Sequence, residues 1–411
     1  MYAEYEAGCW QWHIADSQPL RRIEEQESVV DIQRWRTNAA VQRAIADLAD
    51  PQPILETAIA IQQVPAPTFD ERRRGALVCE RMRSLGLRDV EHDAIGNVYG
   101  RRLGRAGQPG LLVSAHLDTV FPIETDLRIR REGERVYGPG LGDNSTGVAS
   151  LLHLAAAFQK RSLPNQGDIW FVANVGEEGL GDLCGIRAVI DRLREKISAV
   201  IVLEGCDFGT LHHQAIGVRR YRIEASAPGG HSWGNYGNPS AIHALVRLAA
   251  RISELSVPRI PRTTYNIGVI EGGTSVNTIA QHASLLLDMR SVSAAALDEL
   301  VAQVDRLVRT AADHADVQIR VTTVGNRPSG SIPREHPLVQ AAVSAYQFAG
   351  ATISFQQSST DANIPLSQGI PAICVGITDG GNAHRPDEFI LPENLGRGMQ
   401  ALLLLAMSVC G

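Results

Sequence analysis

The sequence predicts an α/β protein: a mostly parallel sheet flanked by helices, with a ferredoxin-like α+β unit inserted into it. Three observations carry that prediction. Short, nearly continuous apolar runs alternate with helical segments over residues 110–205, as strands buried on both faces require. Between residues 217 and 325 the strands switch to half-exposed alternation, and helical segments separate them in a βαββαβ order. Residues 330–411 return to the first style.

In chain order, residues 1–35 read as an irregular extension, with Trp10 and Trp12 packing on the body. Helical spacing begins near Thr37. "ERRRGALVCERMRSLGL" places Leu77, Met82 and Leu85 on an apolar side and a solvated basic face opposite. "GLLVSAH" (110–116), "DIWFVANV" (168–175) and "AVIVLEG" (199–205) read as strands; "TGVASLLHLAAAF" (146–158) and "GIRAVIDRLREK" (185–196) read as helices. "GVRRYRIEAS" then alternates as a half-exposed strand. A helix follows "NPSAIHALVRLAARI", with Asn238 as N-cap and Pro239 at the first helical position. "YNIGVIEG" and "ASLLLDMRS" are strands, "ALDELVAQVDRLVRTAA" an amphipathic helix, and "DVQIRVTTVG" a closing strand. The expected organisation is an extension (1–35), a larger unit (36–214 and 327–411) and an insertion (215–326).

The chain has 411 residues, of which 44% are hydrophobic and 20% charged, which suits a large globular core. A net charge of −6 offers no basic footprint for nucleic acid. No apolar run approaches the roughly 18 residues that a membrane span needs. The first twenty residues lack a basic start and an apolar stretch, so no signal peptide is expected. Six scattered cysteines without a CxxC pair fit a reducing cytoplasm.

Acidic residues and histidines recur where the larger unit's strands end, which is where ligands collect in an α/β sheet. His116 and Asp118 follow the first strand, and "GPGLGDNSTG" places Asp143 before a helix. "NVGEEG" supplies Glu177 and Glu178, "LEGCD" supplies Glu204 with Asp207 as a fallback, and "GGNAHRPDE" supplies His384. Singly, each is an ordinary turn or surface residue. Together they are like charges that repel unless a cation joins them. Imidazole nitrogen with carboxylate oxygen suits zinc, and also cobalt or manganese. Positions i and i+2 share a strand face, so Asp118 can accept the second ring N–H of His116. Of two adjacent glutamates, one can bind metal while the other takes a proton from water.

"HLDT", "GLGDNSTG", "VGEEG", "GGHS" and "NAHRPDE" resemble, in that order, the signature of the dinuclear-zinc exopeptidases that include aminoacylase, carboxypeptidase G and peptidase T. The resemblance covers nearly everything after about residue 45. "STDANIP" and "GDLCGIRAV" lean toward the peptidase-T-like branch. The resemblance implies that Asp143 bridges two zinc ions, with cobalt or manganese as substitutes. His116 and Glu204 would complete one site, and Glu178 and His384 the other. Glu177 would be the general base and Asp118 the partner of His116, while Asp361 and Glu388 match acidic positions near the family's site. It also implies that the insertion is a lid and dimerisation domain. From it His231 would reach the scissile carbonyl, often in the other subunit, and Asn277 and Arg290 would hold a substrate carboxylate. The chain departs from the commonest pattern where Arg385 follows His384 and where Trp233 stands at a commonly small position.

The expected activity is hydrolysis of an amide bond in a di- or tripeptide, or alternatively in an N-acyl amino acid, by a cytoplasmic homodimer. A remote alternative is a serine hydrolase, because residues 230–234 satisfy G-x-S-x-G with Ser232 and are followed by Asp361 or Asp379 and His384. "SAPG" before the motif and "NYGNP" after it do not suit the strand–turn–helix elbow that this chemistry needs. "GPGLGD" is neither GxGxxG nor a P-loop. His212 and His213 have no motif that assigns them a task.

Overall fold

The computed structural model describes residues 2–6, 9–13, 32–312 and 316–411. Residues 2–6 and 9–13 pair as an antiparallel hairpin where irregular chain was expected. Trp10 and Trp12 stand two residues apart, which matches the strand period of two. The packing expected of these two tryptophans lies outside the described side chains. The body begins earlier than residue 36: a helix spans Ile32–Thr37, and its Trp35 is buried in the main core.

The central sheet has nine strands. They run in the order Gly330–Ser331, Thr210–Ala215, Ala372–Gly376, Ile197–Phe208, Gly110–His116, Ile169–Asn174, Val98–Arg102, Arg88–His92, with Ser354–Ser358 beside Thr210–Ala215. The four strands from Ala372–Gly376 to Ile169–Asn174 are mutually parallel. Alternate side chains serve two cores. Leu111, Val113 and Ala115 pack under the helices Gln52–Gln62, Gly147–Lys160 and Leu395–Cys410, whereas Leu112, Trp170 and Val200 pack under Cys184–Leu193. Coverage on both faces is why these strands read as continuous apolar runs. Because they are parallel, their carboxyl ends share one edge, and that edge carries the site.

The insertion forms a separate four-stranded antiparallel sheet, ordered Thr263–Gly272, His282–Ser291, Gly217–Ser226, Gln318–Arg327. The helices Ala241–Ser253 and Ala294–Ala312 cover one face and close a core of its own around Ile223, Leu245, Leu285, Leu287 and Val304. This is the predicted βαββαβ unit. In His282–Ser291 the buried residues alternate, which sends Asp288 and Arg290 to the face away from the helices.

Two local expectations are corrected. The helix Ala241–Ser253 is capped by Ser240, whose side chain accepts from the His243 N–H, and not by Asn238. Asn238 instead donates to the Gly229 carbonyl, which leaves Pro239 outside the helix. The face of Arg72–Ser84 expected to be basic and solvated is not uniformly so, because Arg74 is only 2% exposed. Arg74 lies four and eight residues before Val78 and Met82, on the buried side of the helix. Its guanidinium donates to the carbonyls of Val64 (2.9 Å) and Leu117 (2.8 Å), and so fixes the backbone between His116 and Asp118.

Candidate metal centre

The end of the Gly110–His116 strand places His116 beneath the sheet edge, 2% exposed. Its Nδ1 lies 3.0 Å from the Asp118 backbone carbonyl and 3.4 Å from Asp118 Oδ1, so the peptide oxygen is the nearer acceptor. The Asp118 carboxylate is fully buried and accepts from Thr68 Oγ1 and from the backbone N–H groups of Glu177 (3.0 Å) and Glu178 (2.9 Å). One carboxylate thus ties the histidine's strand to the loop carrying both glutamates.

Asp143 leaves regular helical geometry inside the segment Leu141–Thr146, which projects it into the cleft. Glu388, 1% exposed, holds that turn: its carboxylate accepts the N–H groups of Gly140 (2.9 Å), Gly142 (2.7 Å) and Asp143 (2.9 Å). Burial pushes the Glu388 carboxyl up to about 7, against the pull of those backbone donors. Asp361 is also buried; Asn174 donates to its Oδ2 at 2.7 Å, and burial pushes it up to about 6. Glu388→Gln would turn an amide NH2 toward backbone N–H donors. The expected result is metal affinity about 10–100-fold weaker with an unchanged circular dichroism spectrum; unaltered affinity would show that the turn holds itself.

The two oxygens of Asp143 face different histidines. Oδ1 is 3.1 Å from His116 Nε2, and Oδ2 is 3.1 Å from His384 Nε2. Glu204 Oε2 lies 3.7 Å from His116 Nε2, and Glu178 Oε1 lies 3.0 Å from His384 Nε2. The donor atoms of His116, Asp143 and Glu204 fall within 4.8 Å of one another, as do those of Asp143, Glu178 and His384. A third such set joins His116 with Glu177 and Glu178. Asp207 lines the cleft but enters none of these sets among the described residues. His384 comes from the loop of a hairpin, Asp379–Gly381 with Phe389–Leu391, that was not foreseen. Mixed nitrogen and carboxylate donors at these spacings fit a borderline cation such as zinc.

The electrostatics match that fit. Hydrogen bonds that His384 donates to Asp143 and then Glu178 push it up to about 10. Burial opposes a charge on His116, but Asp118, Asp143 and Glu204 outweigh it and raise its pKa well above the ordinary value. Burial pushes Glu204 up to about 7. Burial also acts against the Asp143 charge, yet the two histidines hold its carboxyl well below the usual range.

Glu177 is 7% exposed, and its Oε1 accepts from Arg327 Nη1 at 3.1 Å. Burial raises its pKa, and Arg327 opposes the rise. Arg327, 5% exposed, ends the last strand of the insertion and also contacts the Glu177 backbone carbonyl. No motif in "GNRPSG" marks this arginine. Arg290 lines the cleft, a cavity of about 730 Å3, but His231, Ser232 and Asn277 do not. His231 sits exposed on the short pairing of Gly230–His231 with Thr278–Ile279, and its Nδ1 accepts from the backbone of Trp233 and Gly234. Ser232 has no strand–turn–helix elbow, and His384 is engaged by Asp143 and Glu178, so the serine-hydrolase alternative has no geometry here.

Residues 112–408 match the peptidase family M20/M25/M40. A succinyl-diaminopimelate desuccinylase of Corynebacterium glutamicum is 25% identical over 333 residues, 79% of this chain and 88% of that protein. An N-acetyl-L-citrulline deacetylase of Xanthomonas campestris pv. campestris is 27% identical over 330 residues, 76% of this chain and 85% of that one. The aminopeptidase PepT of Bacillus cereus ATCC 10987 shares the fold, with a TM-score of 0.74 and 22% identity, covering 88% of this chain and 99% of that structure. No helix among the described residues is long and apolar enough to cross a membrane. With the sheet-edge cluster and the inserted βαββαβ unit in place, the match over residues 112–408 makes this chain a hydrolase of peptidase family M20/M25/M40.

Proposed function

We propose that the protein is a two-zinc amide hydrolase acting on small peptides, chiefly di- and tripeptides with a free carboxylate. The observation that carries this reading is the division of Asp143, whose two oxygens each face a separate histidine with its own glutamate. His116 and Glu204 would hold one ion, Glu178 and His384 the other, with Asp143 between them. Ions bound there supply Lewis acidity and lower the pKa of water.

The chain's own groups do the rest. Glu177 takes a proton from the attacking water and delivers it to the leaving amine. Asp118 keeps His116 and the Glu177–Glu178 loop in register. Arg290 receives the substrate carboxylate, a task that its forked donors suit. His231 would stabilise the developing oxyanion and Asn277 would assist Arg290; since neither lines the cleft of its own chain, a second copy would supply them. Mixing inactive Glu177→Gln and His231→Ala proteins should therefore restore activity in hybrid dimers, and sedimentation should show a dimer. A fully active monomer would remove the cross-subunit role. Cys79, Cys184, Cys206, Cys374 and Cys410 are free, as a reducing cytoplasm would keep them.

A second reading, N-acyl amino acid hydrolysis, is favoured by the names of the desuccinylase and deacetylase relatives. One panel separates the two: di- and tripeptides and N-acyl amino acids, assayed with zinc, cobalt and manganese. Peptide turnover well above acyl turnover is expected. The reverse order would transfer the assignment to the second reading.

A further inference from the structure

We propose that a second cavity, sharing a wall with the metal cleft, receives an additional carboxylate of the substrate; the inference rests on the amide-hydrolase reading above. The cavity measures about 460 Å3, within the size range of small-ligand sites. It shares Ile216, Arg290, Gln356 and Gln357 with the cleft, so a ligand at the metal centre can extend into it past Arg290. Three arginines line it (Arg262, Arg290 and Arg334), and no aspartate or glutamate does.

The three guanidinium groups come from different parts of the fold. Arg290 lies on the helix-free face of the insertion's sheet. Arg262 immediately precedes the neighbouring strand Thr263–Gly272, and its carbonyl accepts from the Val292 N–H, which fixes it beside the end of the Arg290 strand. Arg334 comes from the chain after Gly330–Ser331, with its guanidinium stacked 4.3 Å over the Phe355 ring. His213 meets the same ring edge-on, with centroids 5.4 Å apart. The stack holds Arg334 in place without neutralising it.

Charge compensation is incomplete. Among the described residues, neither Arg262 nor Arg334 has a carboxylate within ion-pair distance. Arg290 Nε reaches Asp288 Oδ2 at 2.6 Å, but Asp288 Oδ1 also accepts Arg220 Nε at 2.9 Å. One carboxylate thus serves two guanidinium groups, which leaves a net positive charge at the shared wall. A concave site with three forked cations and no acid selects a planar anion, and a carboxylate fits that geometry. The anion could sit on an acidic amino-acid side chain or on a dicarboxylic acyl group.

Two matched pairs test this on the zinc-loaded protein: Gly-Glu against Gly-Gln, and N-succinyl-L-alanine against N-butyryl-L-alanine. The acidic member of at least one pair should show kcat/KM about 10-fold or more above its neutral partner. That preference should shrink as salt rises from about 50 to about 500 mM. The pair that shows it identifies which side of the amide enters the cavity. The double variant R262A/R334A should lose the preference, and R262K/R334K should retain most of it. The same four compounds titrated calorimetrically into zinc-loaded Glu177→Gln protein report binding without turnover. Equal behaviour within both pairs, or a preference untouched in R262A/R334A, overturns the inference. If acidic compounds bind in preference through Arg262 and Arg334 but none of the four is ever cleaved, the cavity stands and the proposed substrate assignment falls.

Discussion

Replacing Glu177 with glutamine should leave the bound metal unchanged and lower kcat by about 10²–10⁴-fold, the usual worth of a general base. The side chain is nearly isosteric, and the loop is held by Asp118 through the backbone N–H groups of residues 177 and 178, which the substitution does not touch. The donors expected to hold metal, Asp143, Glu178, Glu204 and the two histidines, also stay in place. The capacity to accept a proton disappears, together with the charge that faces Arg327 Nη1 at 3.1 Å. KM should change little, because the role proposed for Glu177 is proton transfer and not substrate binding. Metal content by mass spectrometry and steady-state kinetics on the same preparation check both halves. Near-normal turnover would place the base elsewhere.

Stripping the metal with a chelator should abolish turnover, and returning it should release protons. Metal ligands must be deprotonated, whereas the carboxylates around both histidines favour the protonated imidazole. His384 is pushed to about 10 by Asp143 and Glu178, and His116 also lies well above its ordinary value. His384, at about 10, carries its proton at pH 7, so an ion bound there displaces an imidazolium proton. The sign follows: protons compete more strongly as pH falls. Apparent affinity should therefore drop about 10-fold per pH unit for each histidine proton displaced, throughout the neutral range. Calorimetry of zinc binding in buffers of different ionisation enthalpy reads the proton count. Zero proton release at pH 7 would mean that the histidines are not the ligands.

The site was legible in the sequence to an uneven degree. His116 ends its strand, Glu177 and Glu178 follow theirs, and Glu204 lies in the carboxyl-terminal half of its own; the strands announce themselves as apolar runs, so topology brings these residues to one edge. The sequence marks Glu388 only as matching an acidic position near the family's site, whereas it organises the Asp143 turn through three backbone donors. Arg74 carried a usable signal, the helical spacing to Val78 and Met82, that the run of arginines concealed. Arg327 carried none. The strand Ser354–Ser358 and the Asp379–Leu391 hairpin were missed because "SFQQS" and "DGG" have no apolar alternation; partner strands hold them, not a pattern of their own.

By itself the sequence determined the α/β class and the inserted βαββαβ unit, and it named the candidate metal donors, because each is written in local periodicity or short motifs. Only the tertiary structure decided how those donors divide. His384 meets Asp143 across 241 positions, and Arg327 meets Glu177 across 150. Such contacts depend on strand order and on how the insertion's last strand returns to the sheet. The three-arginine cavity is of the same kind: its residues carry no shared motif, and a net positive wall exists only where two separately folded sheets meet.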